Sequence, residues 1–363
     1  MDIGLITQFN HINYGNRLQN FATQEILKKL GFNVTSLVFS PSRFMIGFYP
    51  FLKAFGWFPL FQPINKRVKT FKAFTKKYLP NTRVIDSVSL KELTSTYSSA
   101  GTNPLDFVLI GSDQVWNPSY IVNYGKVFAS FVEKEKRRSF ATSFGVSKIP
   151  KNKISKFIKG LSEIPFISTR ETAGAELVMS LTSKPCPTLL DPTLVLNKAD
   201  WVNITNDIVD TPKEKYILCY FLTGKSAYRK WVKSYAKENG LKIVNINDVR
   251  TKYFHANPLE FIKLILNATL VCTDSFHGHA LSICLEKPFV SFHTKKSTSS
   301  RIETILKLTG LEERNYLYLR DDKVLNIDYT SITPILDKER EVAYAYLNKV
   351  LTKGNLDDKR IAN

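Results

Sequence analysis

Cysteine is scarce in this sequence. The 363 residues include only Cys186, Cys219, Cys272 and Cys284, none of which forms a C-x-x-C pair. This spacing favours neither a disulfide framework nor a structural zinc site, so we expect reduced core cysteines, no metal and no bound cofactor.

Long hydrophobic runs are also lacking, because no window approaches the ~20 uninterrupted apolar residues that a membrane span needs. We therefore predict no transmembrane helix.

We also expect no secretory signal. Residues 2–6 are already apolar and extended, without the basic region, apolar core and cleavage site of a leader peptide. The composition, 44% hydrophobic and 23% charged, is typical of a folded soluble protein, and the length suits two domains. We expect a cytoplasmic protein, with a peripheral position on the inner face of the cell membrane as an open alternative.

Acidic residues are missing from one long stretch. None occurs between Glu25 and Asp86, where many lysines and arginines lie, and the whole chain carries a net charge of +19. We expect an anionic partner at the N-terminal half. No nucleic-acid recognition motif accompanies these basic residues, so nucleic acid is not the expected partner.

An aromatic and basic insert covers residues 41–80 of this stretch. Its prolines interrupt any long apolar helix, while residues 66–79 place Phe71, Phe74 and Tyr78 near one helical face and lysines on the rest. That pattern is typical of an interfacial helix on an anionic membrane. The same spacing is equally typical of a helix that packs its aromatic face into a protein core. Both interpretations stay open.

Alternating apolar strands and helical stretches predict an α/β fold with parallel sheets. In the first unit, strands are expected at residues 2–8, 106–110, 139–143, 166–169 and 188–190. In the second, they are expected at residues 216–222, 242–246, 269–273 and 289–292. The predicted lobes are residues 1–200, which include the insert, and residues 201–337. A final helix at about 338–352 is expected to pack back on the first lobe.

One turn stands out at residues 273–280, with the sequence TDSFHGHA, between an apolar strand and an apolar helix. Such a turn lies at the carboxyl edge of a parallel sheet, where α/β folds bind ligands, and the helix N-terminus attracts anions. His277 would lie at that anion site and could transfer a proton near neutral pH. A capped helix with a packed histidine is the structural alternative.

A second turn, GSDQVWN at residues 111–117, follows the strand that ends at Ile110. Its polar side chains suit a sugar or a phosphate, and its tryptophan offers a stacking face. We assign Asp113 to orienting or deprotonating an acceptor. The other residues assigned to the acceptor are Asn16, Arg17, Ser112, Gln114, Trp116 and Asn117.

These turns, together with four further motifs, resemble the polysaccharide pyruvyltransferase family. The further motifs are NYGN at 13–16, STRE at 168–171, DPT at 191–193 and SRI at 300–302, in the order and approximate spacing of the family. The resemblance implies two Rossmann-like lobes in a GT-B-like arrangement with the active site in the cleft between them. It also implies transfer of pyruvate from phosphoenolpyruvate to sugar hydroxyls as a ketal, in surface polysaccharide biosynthesis.

The resemblance carries roles to particular residues. His277 matches the active-site histidine of the family, and Arg170 matches an arginine expected to hold the donor's phosphate or carboxylate. Ser275, Phe276 and Gly278 are expected to contact the donor at the helix N-terminus.

At one position the sequence departs from the family. Many members carry arginine two residues before the histidine, where Ser275 stands here. We expect Arg301, with Lys295 or Lys296, to supply the missing charge.

The acceptor is expected to be a lipid-linked glycan precursor, and the polymer built from it could be a capsule, an exopolysaccharide or a cell-wall polymer. Two other functions stay open: a GT-B glycosyltransferase that uses a nucleotide sugar, and a membrane-bound carbohydrate-binding protein without activity. The acceptor sugar, the hydroxyl pair, the ketal stereochemistry and the oligomeric state do not follow from the sequence.

Overall fold

Two parallel β-sheets form the framework of the molecule. The computed structural model describes residues 1–9, 12–39, 58–85, 105–121, 123–208, 210–223, 225–293 and 300–352. The first sheet has the strand order β3-β2-β1-β4-β5 and the second β7-β6-β8-β9, with every pair of neighbours parallel. The strands are β1 (Asp2–Ile6), β2 (Asn33–Phe39), β3 (Thr82–Ile85), β4 (Phe107–Ile110), β5 (Arg137–Ser139), β6 (Tyr216–Tyr220), β7 (Lys242–Asn245), β8 (Leu270–Thr273) and β9 (Phe289–Ser291).

The central strands consist of continuous apolar runs rather than alternating patterns. All residues of β4, β6 and β8 are buried, because helices cover both faces of each sheet. In the first sheet, β1 pairs with β2 on one side and with β4 on the other. The chain direction across the sheet therefore reverses between β1 and β4, and ligands bind at such a switch point in open α/β sheets.

Helices connect the strands, and several begin with clear capping signals. Asn257 caps one helix with a capping box, and Pro258 follows at its first position. The helices are α1 (Tyr14–Lys29), α2 (Phe58–Tyr78), α3 (Tyr124–Val127), α4 (Ile154–Ser162), α5 (Thr172–Thr182), α6 (Pro192–Val195), α7 (Lys198–Ile204), α8 (Ser226–Glu238), α9 (Pro258–Asn267), α10 (Phe276–Cys284), α11 (Ser300–Thr309) and α12 (Tyr329–Val350).

The prediction of an α/β fold with parallel sheets is confirmed, but individual strands differ from those predicted. β2 and β3 were not predicted, and β5 begins two residues before the expected range. At residues 166–169 and 188–190, where strands were predicted, the structure has isolated β-bridges instead. Thr169, for example, pairs with Thr142 and with Thr188. These short segments extend the first sheet without forming a regular ladder.

The last helix crosses from one half of the chain to the other. α12 begins at Tyr329, nine residues before the predicted start. The Tyr346 hydroxyl donates a hydrogen bond of 2.9 Å to the Ser139 carbonyl, and Arg138 Nε donates one of 2.7 Å to the Val350 carbonyl. The predicted boundary near residue 200 falls inside α7, and the second sheet starts at Tyr216. The exact division into lobes stays a prediction.

Helix α2 comes from the basic part of the predicted insert. Phe71 and Phe74 are buried in the core, where Phe74 and Tyr78 both contact Phe21. The aromatic face of α2 therefore packs into the protein core, as one of the two interpretations predicted. The other interpretation, that this face lies on a membrane, is wrong because protein already covers the aromatic side chains. The lysines of α2 are exposed, namely Lys66, Lys69, Lys72, Lys76 and Lys77. The aromatic residues at 41–57 lie outside the described residues.

Candidate active site

A cleft of about 560 Å³ lies between the carboxyl edges of the two sheets. From the first half of the chain it is lined by Gln8, Asn13, Asn16, Asp113, Gln114 and Tyr120. From the second half it is lined by Tyr220, Leu222, Thr223, Lys225, Tyr228, Asp274, Ser275, Phe276, His277, Phe292, His293, Arg301 and Ile302. Both predicted turns therefore meet at one cavity.

The turn between β8 and α10 is held by hydrogen bonds to the second sheet. The Ser275 N–H donates to Thr273 Oγ1 at 3.0 Å, and this hydroxyl donates to the Tyr220 carbonyl at 2.7 Å. Asp274 accepts from the N–H groups of Leu222 and Thr223. A Cβ at Gly278 would overlap with the Thr273 side chain, so glycine allows α10 to approach β8. Gly278 therefore supports the turn and does not line the cleft.

His277 is buried at the bottom of the cleft, with 6% of its surface exposed. Its Nε2 has no hydrogen-bond partner among the described residues. A Cβ at Gly15 would overlap with the imidazole, so the backbone at the N-terminus of α1 packs directly against this histidine. Burial lowers the pKa of His277 to about 4, although the nearby carboxylates of Asp191 and Asp113 act in the opposite direction. The imidazole is therefore neutral near pH 7.

The neighbouring histidine has a different environment. His279 Nδ1 lies 2.7 Å from the Ser275 carbonyl and Nε2 lies 2.6 Å from Ser291 Oγ. Burial lowers the pKa of His279 to about 3. Both ring nitrogens are occupied, so His279 stabilises the turn and His277 is the histidine available for chemistry.

Arg170 lies between two carboxylates in the interior. Its Nη1 is 2.5 Å from Asp191 Oδ2 and its Nη2 is 3.1 Å from Asp113 Oδ1. Asp191 also accepts from the hydroxyls of Ser112 and Thr193, each at 2.6 Å. Burial raises the pKa of both aspartates, but the Arg170 charge, the nearby His277 and the hydrogen bonds that each carboxylate accepts together outweigh this effect, and the pKa values are lowered. The three charged groups form a buried ion triad in which both carboxylates are ionised.

Asp113 joins this triad to the cleft. Its backbone has a φ of 74°, in the left-handed region that aspartate adopts more readily than most residues. One carboxylate oxygen accepts from the Gln114 N–H and from Arg170, and the other accepts from the Asn16 side chain. Backbone conformations of this kind often occur at functional sites, so Asp113 is a candidate site residue.

Arg301, at the start of α11, brings a second guanidinium to the cleft. Arg301 and Arg170 both lie near Phe276: their guanidinium carbons are 5.7 Å and 4.5 Å from the centre of its ring. Arg301 Nε is buried and has no hydrogen-bond partner among the described residues. Burial and the neighbouring Arg170 both lower its pKa. Unlike Arg170, Arg301 is not held by a carboxylate in any described ion pair.

The acceptor residues predicted from the second turn separate into two groups. Gln114 lines the cleft and accepts a hydrogen bond of 2.6 Å from the Asn117 side chain. Trp116 is fully buried, donates to the Val127 carbonyl at 3.1 Å and stacks on Phe128. The prediction that Trp116 stacks on a sugar is therefore corrected: it is a core residue. Ser112 is also buried, and its hydroxyl donates a hydrogen bond to Asp191 of the ion triad.

Comparison with known proteins agrees with this geometry. The family model described as polysaccharide pyruvyl transferase matches residues 13–295, more than three quarters of the 363-residue chain. The chain belongs to the polysaccharide pyruvyl transferase family. Membership implies a glycan acceptor and a pyruvyl donor. A comparison with curated proteins gave no significant match.

Solved structures share the architecture of this polysaccharide pyruvyl transferase family member at low identity. One is Arabidopsis thaliana UGT89C1 complexed with UDP-L-rhamnose, with a TM-score of 0.51 and 8% identity over 96% of this chain and 98% of that chain. Another is the UDP-GlcNAc 2-epimerase from Neisseria meningitidis bound to UDP-GlcNAc, with a TM-score of 0.47 and 12% identity over 96% and 100%. The likeness to UGT89C1, together with the two parallel sheets, confirms the GT-B-like arrangement and shows the fold alone.

Several cleft residues were not predicted from the sequence. His293 lies two residues after the end of β9, where polar residues at a sheet edge are a usable signal. Tyr120 lies ten residues after the end of β4, where no such signal applies. Asp191 belongs to a motif that carried the family resemblance, but its contact with Arg170 depends on the fold. Lys295 and Lys296 lie outside the described residues, so their predicted donor role stays a prediction.

The described part of the chain contains no group of three or more histidine, cysteine, aspartate or glutamate side chains that could hold a metal ion. Over the same residues, no helix combines the length and the apolar character needed to cross a bilayer.

Proposed function

We propose that this enzyme transfers pyruvate from phosphoenolpyruvate to two hydroxyls of a glycan and forms a ketal. The observation that supports the proposal is the position of His277, whose unpartnered Nε2 lies in the interlobe cleft beside Asp113 and Arg301. The ketal chemistry needs a proton carrier, a cation for the donor's anionic groups and a group that orients hydroxyls. The cleft contains one candidate for each task.

The low pKa of His277 suggests the order of the proton transfers. In one step, the first sugar hydroxyl forms its bond to C2 of phosphoenolpyruvate while the C2–C3 π electrons form a new C3–H bond, which converts the methylene to a methyl group. The neutral imidazole takes the hydroxyl proton and passes it to C3 within this step, so a transient imidazolium forms and no carbanion builds up at C3. The second hydroxyl displaces phosphate at C2, and its proton leaves with the phosphate. Asp113 and Asp191 stabilise the transient imidazolium.

The two arginines have different parts in this proposal. Arg170 already has both carboxylates of the ion triad as partners, so we assign it to positioning Asp113 rather than to the donor. Arg301 has no such partner in the part of the chain that the structure describes, and it is assigned to the donor's phosphate or carboxylate, with the N-terminus of α10 at Ser275 and Phe276. Because the pKa of Asp113 is lowered, this carboxylate orients a hydroxyl better than it deprotonates one.

The test measures phosphate release from phosphoenolpyruvate with a panel of glycosides. We expect release to depend on an acceptor and to fall at least ~100-fold in His277→Gln, as for the loss of a general acid-base group. His255→Gln is the matched control, because His255 lies outside the cleft residues. Release without dependence on His277 would contradict the mechanism. Binding of UDP together with indifference to phosphoenolpyruvate would favour the nucleotide-sugar alternative.

We further propose that the acceptor is lipid-linked and that the enzyme meets it at an anionic membrane surface. The exposed lysines of α2 support this step, since they form a basic surface on a helix whose aromatic face is already buried. Contact would be electrostatic and reversible, without insertion of this helix.

A further inference from the structure

A chain of hydrogen bonds joins the start of α10 to His293, a cleft residue that the proposed reaction does not use. The Ser275 carbonyl lies 2.7 Å from His279 Nδ1, and His279 Nε2 lies 2.6 Å from Ser291 Oγ. Ser291 Oγ lies in turn 2.7 Å from His293 Nδ1. Both ends of this chain, Ser275 and His293, line the cleft, whereas His279 and Ser291 are fully buried. The chain therefore connects two points of the cleft surface through the protein interior.

The carbonyl at one end determines the direction of every hydrogen bond in this chain. A carbonyl oxygen only accepts, so His279 Nδ1 carries a hydrogen and donates to Ser275. His279 is neutral near pH 7, because burial lowers its pKa to about 3. Its Nε2 therefore accepts from the Ser291 hydroxyl, and the Ser291 oxygen accepts from the Nδ1–H of His293. In neutral His293, Nε2 is then the nitrogen that carries no hydrogen and can accept a proton.

The backbone beside His293 is also held in place. The Asn315 side chain donates a hydrogen bond of 3.0 Å to the His293 carbonyl, and the Tyr316 N–H donates one of 3.0 Å to the Ser291 carbonyl. The His293 ring lies edge-on to the His279 ring, with 6.2 Å between the ring centres. These contacts fix the orientation of the imidazole just beyond the carboxyl end of β9.

His277 and His293 follow neighbouring strands. His277 lies four residues after the end of β8 and His293 two residues after the end of β9, and these strands are paired in parallel. Neighbouring strands are about 4.8 Å apart, so both imidazoles lie at one edge of the second sheet. A sugar bound at this edge can present one hydroxyl to each of them.

We propose that His293 is the general base for the second hydroxyl of the acceptor, in the step that releases phosphate. The proposal rests on the proposed pyruvyl transfer. As the second hydroxyl oxygen forms its bond to C2, the bond from C2 to the phosphate oxygen breaks and the hydroxyl proton passes to His293 Nε2. The imidazolium then donates this proton to the departing phosphate, so His293 ends the cycle neutral. His277 and His293 thus serve the two hydroxyls in turn.

The experiment separates the two steps by following the hydrogens on C3 of phosphoenolpyruvate. In D₂O the first step places deuterium on C3, and its reversal returns deuterated phosphoenolpyruvate, which mass spectrometry detects. With the most active glycoside of the panel, we expect His293→Asn to lower phosphate release at least ~100-fold and to retain this exchange, as for the loss of a base needed only in the second step. Asparagine keeps an N–H donor close to the position of Nδ1 but cannot accept the proton. His255→Asn is the matched control outside the cleft residues and should change neither rate.

Two results would overturn the role of His293. One is phosphate release at the wild-type rate in His293→Asn, and the other is an equal loss of release and exchange in both His293→Asn and His293→Gln. Retained exchange in either variant shows that its site is folded. His277→Gln should lose both activities, since it blocks the first step. A wild type that neither exchanges deuterium nor releases phosphate with any glycoside would instead contradict pyruvyl transfer itself.

Discussion

Among the individual residues, the buried ion triad has the largest predicted effect on stability. Asp191→Asn removes one of the two carboxylates that hold Arg170, whose side chain is inaccessible to solvent. Breaking a buried pair costs about 3–5 kcal/mol, and we expect a value near the lower end because Asp113 still pairs with Arg170. Urea unfolding of the two proteins measures the difference in free energy.

The control for this substitution is Asp322→Asn. Asp322 pairs with Arg320 at the surface, where both side chains are mostly exposed, and such pairs contribute at most about 1 kcal/mol. Equal losses in the two variants would show that the triad is no more important than a surface ion pair.

Single residues also show where sequence reasoning succeeds. His277 could be predicted because its turn follows an apolar strand and the family resemblance singled it out. The role of Trp116 was wrong because the rings that enclose it, Phe128 and Phe144, come from elsewhere in the chain. Arg170 matched a family arginine, but its two carboxylate partners became visible only in the fold.

For whole helices and strands, prediction from sequence is limited because the same spacing of apolar residues occurs in elements with different surroundings. α2 has the spacing of an amphipathic helix, which predicts an apolar face but does not say whether protein or lipid covers it. β3 was missed because a strand of four residues has a weak periodic signal, and β2 was missed because Thr35 and Ser36 interrupt its apolar run. The β8 to α10 connection was predictable because an apolar strand, a polar turn and an apolar helix follow one another directly.

The basic surface of α2 leads to a prediction for membrane binding. Replacing Lys69, Lys72 and Lys76 with glutamine should weaken sedimentation with phosphatidylserine-containing vesicles by on the order of 100-fold, at roughly 1 kcal/mol per lysine. The matched control replaces Lys230, Lys233 and Lys237 of α8, which are exposed and have the same spacing. Equal binding by both triple variants, or no binding by the wild type, would contradict a membrane role for α2.

At the scale of the molecule, the two sheets bring together groups that are far apart in the sequence. Gly15 of the first half contacts His277 of the second, and Asp113 is close enough to influence its pKa. The presence of two α/β units could be predicted from the order of strands and helices, and the cleft between them from the family resemblance. The depth at which His277 is buried could not, because it depends on how closely α1 approaches α10.

This burial makes the stability of the whole protein depend on pH. His277 and His279 have pKa values lowered to about 4 and about 3 by burial, whereas an unfolded histidine titrates near 6.5. The unfolded chain therefore binds more protons below pH 6.5, and stability falls as the pH decreases. Between pH 7 and pH 5 we expect each histidine to remove on the order of 1–2 kcal/mol.

Urea unfolding at pH 7, 6 and 5 measures this loss, and His277→Gln assigns part of it. The variant should lose less stability over this range than the wild type, because its glutamine does not titrate. Asp113 and Asp191 have lowered pKa values, so their stabilising contribution is present above an unfolded value near roughly 3.9 and is lost only at more acidic pH. They should not affect the comparison above pH 5. The same pH dependence in both proteins would show that His277 can take up a proton without unfolding, and that the cleft solvates its imidazolium.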